Sequence, residues 1–70
     1  MQIQLKVDHP PAGRYTLKQR EQGEMLFSDV REPPELFAND NMGPFYKAVA
    51  ARLFKLYAEG HEVTYEDVEP

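Results

Sequence analysis

PFYKAVAARLFKLYAE, residues Pro44 to Glu59, is the stretch whose local signals all agree, and the rest of the chain is arranged around what it buries. The spacing predicts a helix over 44–59. Gly43 serves as an N-cap, and Pro44 suits the first helical turn because its φ is already helical and its missing N–H has no partner there. Gly60 follows the last periodic residue, where a left-handed position is cheapest without a Cβ. At ~100° per residue, Phe45, Leu56, Val49, Leu53, Tyr46, Tyr57, Ala50 and Phe54 fill one arc of roughly 180°. A helix covering a sheet needs a stripe only a little over ~100° wide. The surplus edge, Tyr46–Ala50–Phe54–Tyr57, either flanks the core or meets a partner.

Ahead of the helix, Gln2 to Asp8 (QIQLKVD) alternates with period two. Ile3, Leu5 and Val7 therefore share one face of a half-buried strand, and Gln2, Gln4, Lys6 and Asp8 share the other. His9-Pro10-Pro11-Ala12-Gly13 breaks the strand into a loop, since consecutive prolines cannot donate to a ladder. Arg14 to Arg20 and Met25 to Arg31 read as a hairpin turning near Gln22-Gly23. With Glu21 opposite Glu24, Tyr15, Leu17 and Gln19 share a core face with Val30, Ser28 and Leu26. The opposite face then sets Met25 and Phe27 among Arg14, Lys18 and Arg20. Either a bulge or longer loop turns Met25 and Phe27 inward, or the Lys18 and Arg20 stems cover Phe27, or the group is a partner-binding patch of the aromatic, Met and Arg kind that interfaces favour.

Pro33-Pro34-Glu35-Leu36-Phe37 predicts one helical turn at the core edge, and Asn39-Asp40-Asn41-Met42-Gly43 a turn-rich lead into the helix. His61 to Glu66 alternates again, with Val63 and Tyr65 on one face, as a short last strand; residues 66–70 are expected as an acidic tail. The fold class is thus α+β: three antiparallel strands and a short C-terminal strand packed on one long helix, in a single domain spanning 1–70.

Composition narrows the function. A chain of 70 residues buries only ~60% of the surface its unfolded form exposes, so self-association would help it. With no cysteine, it has neither disulfides nor thiolate ligands. Ser28 is the lone serine, without a nucleophile elbow, and His9 and His61 have no matched metal spacing. Asn39, Asn41 and Gly43 echo the start of a calcium loop, but no acidic residue stands where its bidentate ligand belongs. No phosphate loop, dinucleotide fingerprint or signal-peptide pattern is present. These features predict a non-enzymatic protein without cofactor or metal, cytoplasmic and apart from membranes.

The net charge is −4, against the basic face that nucleic acid requires. The charges are nevertheless polarised: Arg14, Lys18 and Arg20 on one strand and Lys47, Arg52 and Lys55 on the helix, against five acids and no base in the last dozen residues. The reading is a small protein–protein interaction module, an accessory, adaptor or inhibitor of the sort phage and mobile elements encode, with a protein partner or a second copy. Its expected contact residues are Met25, Phe27, Arg14, Lys18, Arg20, Tyr46, Phe54 and Tyr57. The alternative is nucleic-acid binding by the basic hairpin face, with Tyr15 or Phe27 stacking on bases.

Overall fold

The computed structural model of the chain describes residues 1–9 and 14–67. The loop expected at 9–13 and the tail expected at 66–70 therefore fall partly outside the described residues, at 10–13 and 68–70. Strand β1 spans Gln2–Asp8, β2 Thr16–Glu21, β3 Ser28–Asp29, helix α1 Met42–Ala58 and β4 Glu62–Asp67, with a single 3-10 turn at Pro34–Leu36 between β3 and α1. The strands form one mixed sheet in the order β3-β2-β1-β4. β2 pairs antiparallel with both β1 and β3, whereas β4 lies parallel to β1. The parallel pairing follows from the connection: a helix crossing the sheet returns the chain to the end from which β1 started.

The period-two reading of β1 holds residue for residue. Ile3, Leu5 and Val7 are buried under the helix together with Leu17, Val30, Leu36, Phe45, Val49 and Leu56. Cross-strand partners share a face, so Ile3 beside Val63 and Leu5 beside Tyr65 place Val63, Tyr65 and Asp67 on the helix side of β4. Glu62, Thr64 and Glu66 consequently belong to the open face, with Gln4, Lys6, Lys18 and Arg20.

The helix starts two residues earlier than its expected Pro44, with Asn41 rather than Gly43 at the N-cap. Pro44 is tolerated as the third helical residue because the first four N–H groups of a helix have no intrahelical partner; the first such bond runs from the Phe45 N–H to the Asn41 carbonyl, 3.2 Å. The C-terminus closes as a Schellman motif: the His61 N–H bonds the Leu56 carbonyl at 3.1 Å and the Gly60 N–H the Tyr57 carbonyl at 3.0 Å. Gly60 sits at φ +89°, the left-handed conformation this closure demands.

The hairpin departs most from expectation. The turn forms where the sequence placed it, with the Glu24 N–H on the Glu21 carbonyl at 3.0 Å and Gly23 at φ +94°. The ladder, however, opens immediately. Met25, Leu26 and Phe27 run through an irregular loop, and pairing resumes only with Gln19 opposite Ser28 and Lys18 opposite Asp29. This register is displaced by two residues from a Glu21–Glu24 pairing, so Val30 keeps its core face, opposite Leu17. Leu26 and Ser28, expected in the core, are exposed. Beyond Val30 the ladder stops, and the prolines at 33 and 34, which carry no N–H, do not resume it.

The segment before α1 straps the end of the sheet. Tyr15 and Asn39 exchange backbone hydrogen bonds of 2.8 and 2.9 Å, and the Ala38 N–H donates to Thr16 Oγ1 at 3.1 Å. These bonds hold Ala38 at φ +48°, a conformation that disfavours residues bearing a Cβ by ~1–2 kcal/mol. Leu36 is fully buried, while Phe37 lies under the Arg31 guanidinium, 4.0 Å from the ring centroid.

Burial separates the two helix phenylalanines. Phe45→Ala should lower stability by about 3–5 kcal/mol, comparable to the whole stability of a domain this small, ~0.05–0.15 kcal/mol per residue. Phe54→Ala should stay within about 0.5 kcal/mol. Urea unfolding followed by circular dichroism checks both, and a comparable loss at Phe54 would contradict the packing described.

Candidate interaction surface

The eight expected contact residues lie on the hairpin side and on the helix edge. Met25, Phe27, Lys18 and Arg20 belong to the hairpin and the open face of the sheet, whereas Tyr46, Phe54 and Tyr57 follow the edge of α1 on the other side. Arg14 is an exposed residue just ahead of β2.

On the open face the basic residues are largely engaged. Lys18 lies directly across from Lys6, an unfavourable like-charge pair, and its Nζ instead reaches Asp29 at 3.1 Å and Asp8 at 3.9 Å. The Arg20 Nε donates to Gln4 Oε1, and its guanidinium stacks 4.6 Å from the centroid of Phe27, which Lys6 approaches from 5.7 Å. Phe27 is thus half-covered by cations, one of the readings the sequence allowed. Met25 was the other apolar residue of that patch, and it is 89% exposed, with its neighbour Leu26 at 80%. The loop between the turn and β3 puts both at the hairpin tip.

The helix edge divides according to angle. Phe45, Val49 and Leu56 point into the core, Leu53 and Tyr46 sit at its margin, and Phe54 and Tyr57 are 75% and 55% exposed. The direction of this edge is set by Tyr46, whose hydroxyl donates to Asp67 Oδ2 of β4 at 2.8 Å. Tyr57 and Ala50 lie further round the helix in the same sense, so the apolar surplus overhangs the β4 side. The opposite flank turns toward β2, where Arg52 Nε and Nη2 donate to Gln19 Oε1 at 2.9 and 2.7 Å.

Tyr65 on β4 also donates to Asp67 Oδ2, at 3.4 Å, so two phenols converge on one carboxylate. Around them Tyr15, Phe45 and Tyr46 pack edge-on or tilted with centroids 5.1–5.6 Å apart, and His9 stacks on Tyr15 at 4.0 Å. Partial burial and then the hydrogen bond and charge of Asp67 raise the Tyr46 phenol well above its ordinary value. Burial, then the charge of Asp67 and its hydrogen bond, push Tyr65 up to about 12. The sequence reading passed over Tyr65 and Asp67 as partners, because only the parallel pairing of β4 with β1 brings them under the helix.

Asn39, considered for a calcium loop, uses its Oδ1 to accept the Asn41 N–H at 2.9 Å and its Nδ2 to donate to the Glu35 carbonyl at 3.0 Å. It shapes the turn into α1. Among the described residues no group of three or more His, Asp or Glu side chains is disposed to hold a metal ion, and no helix is long and apolar enough to cross a membrane. Compared with known protein families, curated proteins and solved structures, the chain shows no significant match.

The tyrosine pair yields a titration. The folded protein holds these phenol protons more tightly than the unfolded chain, whose tyrosines ionise near 10.0. Their contribution to stability is therefore complete below that pH; the Tyr65 share is lost as pH rises through about 12, and the Tyr46 share at still higher pH. Ultraviolet absorbance of the phenolate should show two of the phenols ionising late. Asp67→Asn should move both down without restoring the ordinary value, since burial remains. An unchanged titration in Asp67→Asn would show that the carboxylate does not bind these hydroxyls.

Proposed function

We propose that the protein is a small non-enzymatic interaction module that binds another protein, in the manner of an accessory, adaptor or inhibitor. The observation carrying this reading is the exposure of large apolar side chains at two defined places, Met25 and Leu26 at the hairpin tip and Phe54 and Tyr57 along the helix edge. Scattered apolar residues are normal on protein surfaces. Pairs of them beside cations, aromatic rings and a sheet edge match the composition of interface centres, which are rich in aromatics, Met and Arg. Association, with a partner or a second copy, would also add the burial that a domain of this size lacks. Phage and mobile-element accessory proteins are the class its size and composition suggest.

Binding of nucleic acid by the basic hairpin is the weaker reading. Lys18 is neutralised by Asp8 and Asp29, and Arg20 is committed to Gln4 and Phe27. Contact with phosphates would have to displace these partners, and the chain as a whole is acidic.

The test is affinity capture from the native host with wild-type protein, with Met25→Ala and with Phe54→Ala, identifying bound proteins by mass spectrometry and measuring solution mass by light scattering. A partner retained by the wild type and lost, or reduced about tenfold, in a folded variant is expected. If both folded variants keep every partner and the same solution mass, neither surface mediates binding. Salt-dependent retention of oligonucleotides by the wild type would favour the nucleic-acid reading.

A further inference from the structure

The outer edge of β4 is a second feature of the same side of the molecule. Hydrogen bonding along a strand alternates in direction. The Glu62 N–H bonds the Met1 carbonyl at 3.0 Å, so the backbone groups of residues 62, 64 and 66 turn toward β1 and those of Val63, Tyr65 and Asp67 turn away from it. Among the described residues no strand pairs with that outer edge. Six residues of unpaired edge are a ready template for another strand. β3, at the opposite end of the sheet, offers only two residues.

The two faces beside this edge differ in chemistry. On the open face Glu62 and Glu66 flank Thr64, while the helix face carries Val63, packed against the core, and the partly exposed Tyr65, on the flank of α1 that bears Tyr57. A strand added here would place alternate side chains against carboxylates and against apolar surface. A second copy of β4 fits poorly. With only Val63, Tyr65 and Asp67 turned outward, the antiparallel self-pairings open to most of the strand set Glu62 opposite Glu66, or leave Glu66 diagonal to Glu62 and Glu66 of the copy. We infer that the β4 edge accepts an extended segment of a partner protein in which basic residues alternate with apolar ones. The bases would face Glu62 and Glu66, the apolar side chains would cover Tyr65 and Tyr57, and backbone hydrogen bonds to Val63 and Tyr65 would hold it. This mode of recognition draws affinity from the main chain and specificity from alternate side chains. It rests on the interaction-module reading and specifies the partner's chemistry.

A chain of this length is accessible to chemical synthesis, which permits a backbone test. The protein is prepared with and without N-methylation of Tyr65, a change that removes one outward N–H and leaves the bonds to β1 and every side chain in place. Tyr65→Pro serves as the recombinant counterpart, and circular dichroism checks the fold of each. The probes are fluorescent hexapeptides of alternating lysine and valine and of alternating glutamate and valine, titrated by anisotropy at about 50 and about 300 mM salt. The lysine peptide should bind, weaken as salt rises, and lose about tenfold in affinity on N-methylation, equivalent to ~1.4 kcal/mol; the glutamate peptide should not bind. Failure of the lysine peptide to bind folded protein, or binding indifferent to N-methylation, overturns the inference. So does a wild-type dimer that N-methylation dissociates, which would assign the edge to a second copy. If Phe54→Ala or Met25→Ala releases a native partner that N-methylated Tyr65 retains, the interaction module stands and strand addition falls. If the lysine peptide binds as expected while those alanine variants release nothing, the edge stands and the apolar patches do not.

Discussion

β1 is the strand on which the other elements depend, because it is hydrogen-bonded along both edges and carries the floor of the core. Ile3, Leu5 and Val7 lie beneath Phe45, Val49 and Leu56, and all six are buried. A slip of one residue in β1 would send these three side chains to the open face and bring Gln4 and Lys6 under the helix. The penalty for burying those polar groups, several kcal/mol in all, fixes the register of β1 against β2 and β4 together. Leu17 from β2 and Leu36 from the 3-10 turn then close the sides of a core whose centre is already defined.

The helix is broader in its apolar chemistry than this floor. β3 is too short to widen the sheet, and β4 stands at its other margin, so only the Phe45–Leu56–Val49 end of the apolar arc finds a surface to cover. What is left over appears as Phe54 and Tyr57 in solvent. The same narrowness leaves the outer edge of β4 unpaired, with the residual helix surface overhanging it. An incompletely covered helix and an unextended sheet are thus two results of one shortage of strand, and they meet on the same side of the molecule.

Charge divides the molecule in a corresponding way. The basic residues of β2 and α1 are mostly drawn into local partnerships, Lys18 with Asp8 and Asp29, Arg20 with Gln4 and Phe27, Arg52 with Gln19. Among the described residues, the acids of β4 form no ion pair. Glu62 takes a 3.2 Å hydrogen bond from Gln2 and Asp67 gathers the two phenols, while Glu66 stands beside Lys6 in the sheet register. Among the described residues, charge without an ion pair therefore lies both at the acidic edge and, as Lys47 and Lys55, on α1, although the basic hairpin is the more conspicuous charge pattern in the linear chain.

Periodicity was sufficient for β1, for the core face of α1 and for the stop at Gly60, because each depends on neighbours within a few residues: a two-residue alternation, an arc built at 3.6 residues per turn, a glycine where the backbone must turn left-handed. The excess width of the helix arc was equally legible, since width is a property of the arc alone. The loop at Met25–Phe27 was not, because whether a hairpin stays paired after its turn depends on what lies across from it. Leu26 reads as core by alternation, yet no element covers that position. Ala38 at positive φ, the strap from Asn39 to Tyr15, and the convergence of Tyr46 and Tyr65 on Asp67 likewise had no local signature. Each joins residues more than twenty positions apart or answers to a contact of that length. Local chemistry set which segments became strand or helix and which side of each is apolar. The neighbours of each segment, and hence which apolar and charged groups remain available to a partner, were decided by the parallel docking of β4 on β1, a long-range pairing that a linear alternation cannot encode.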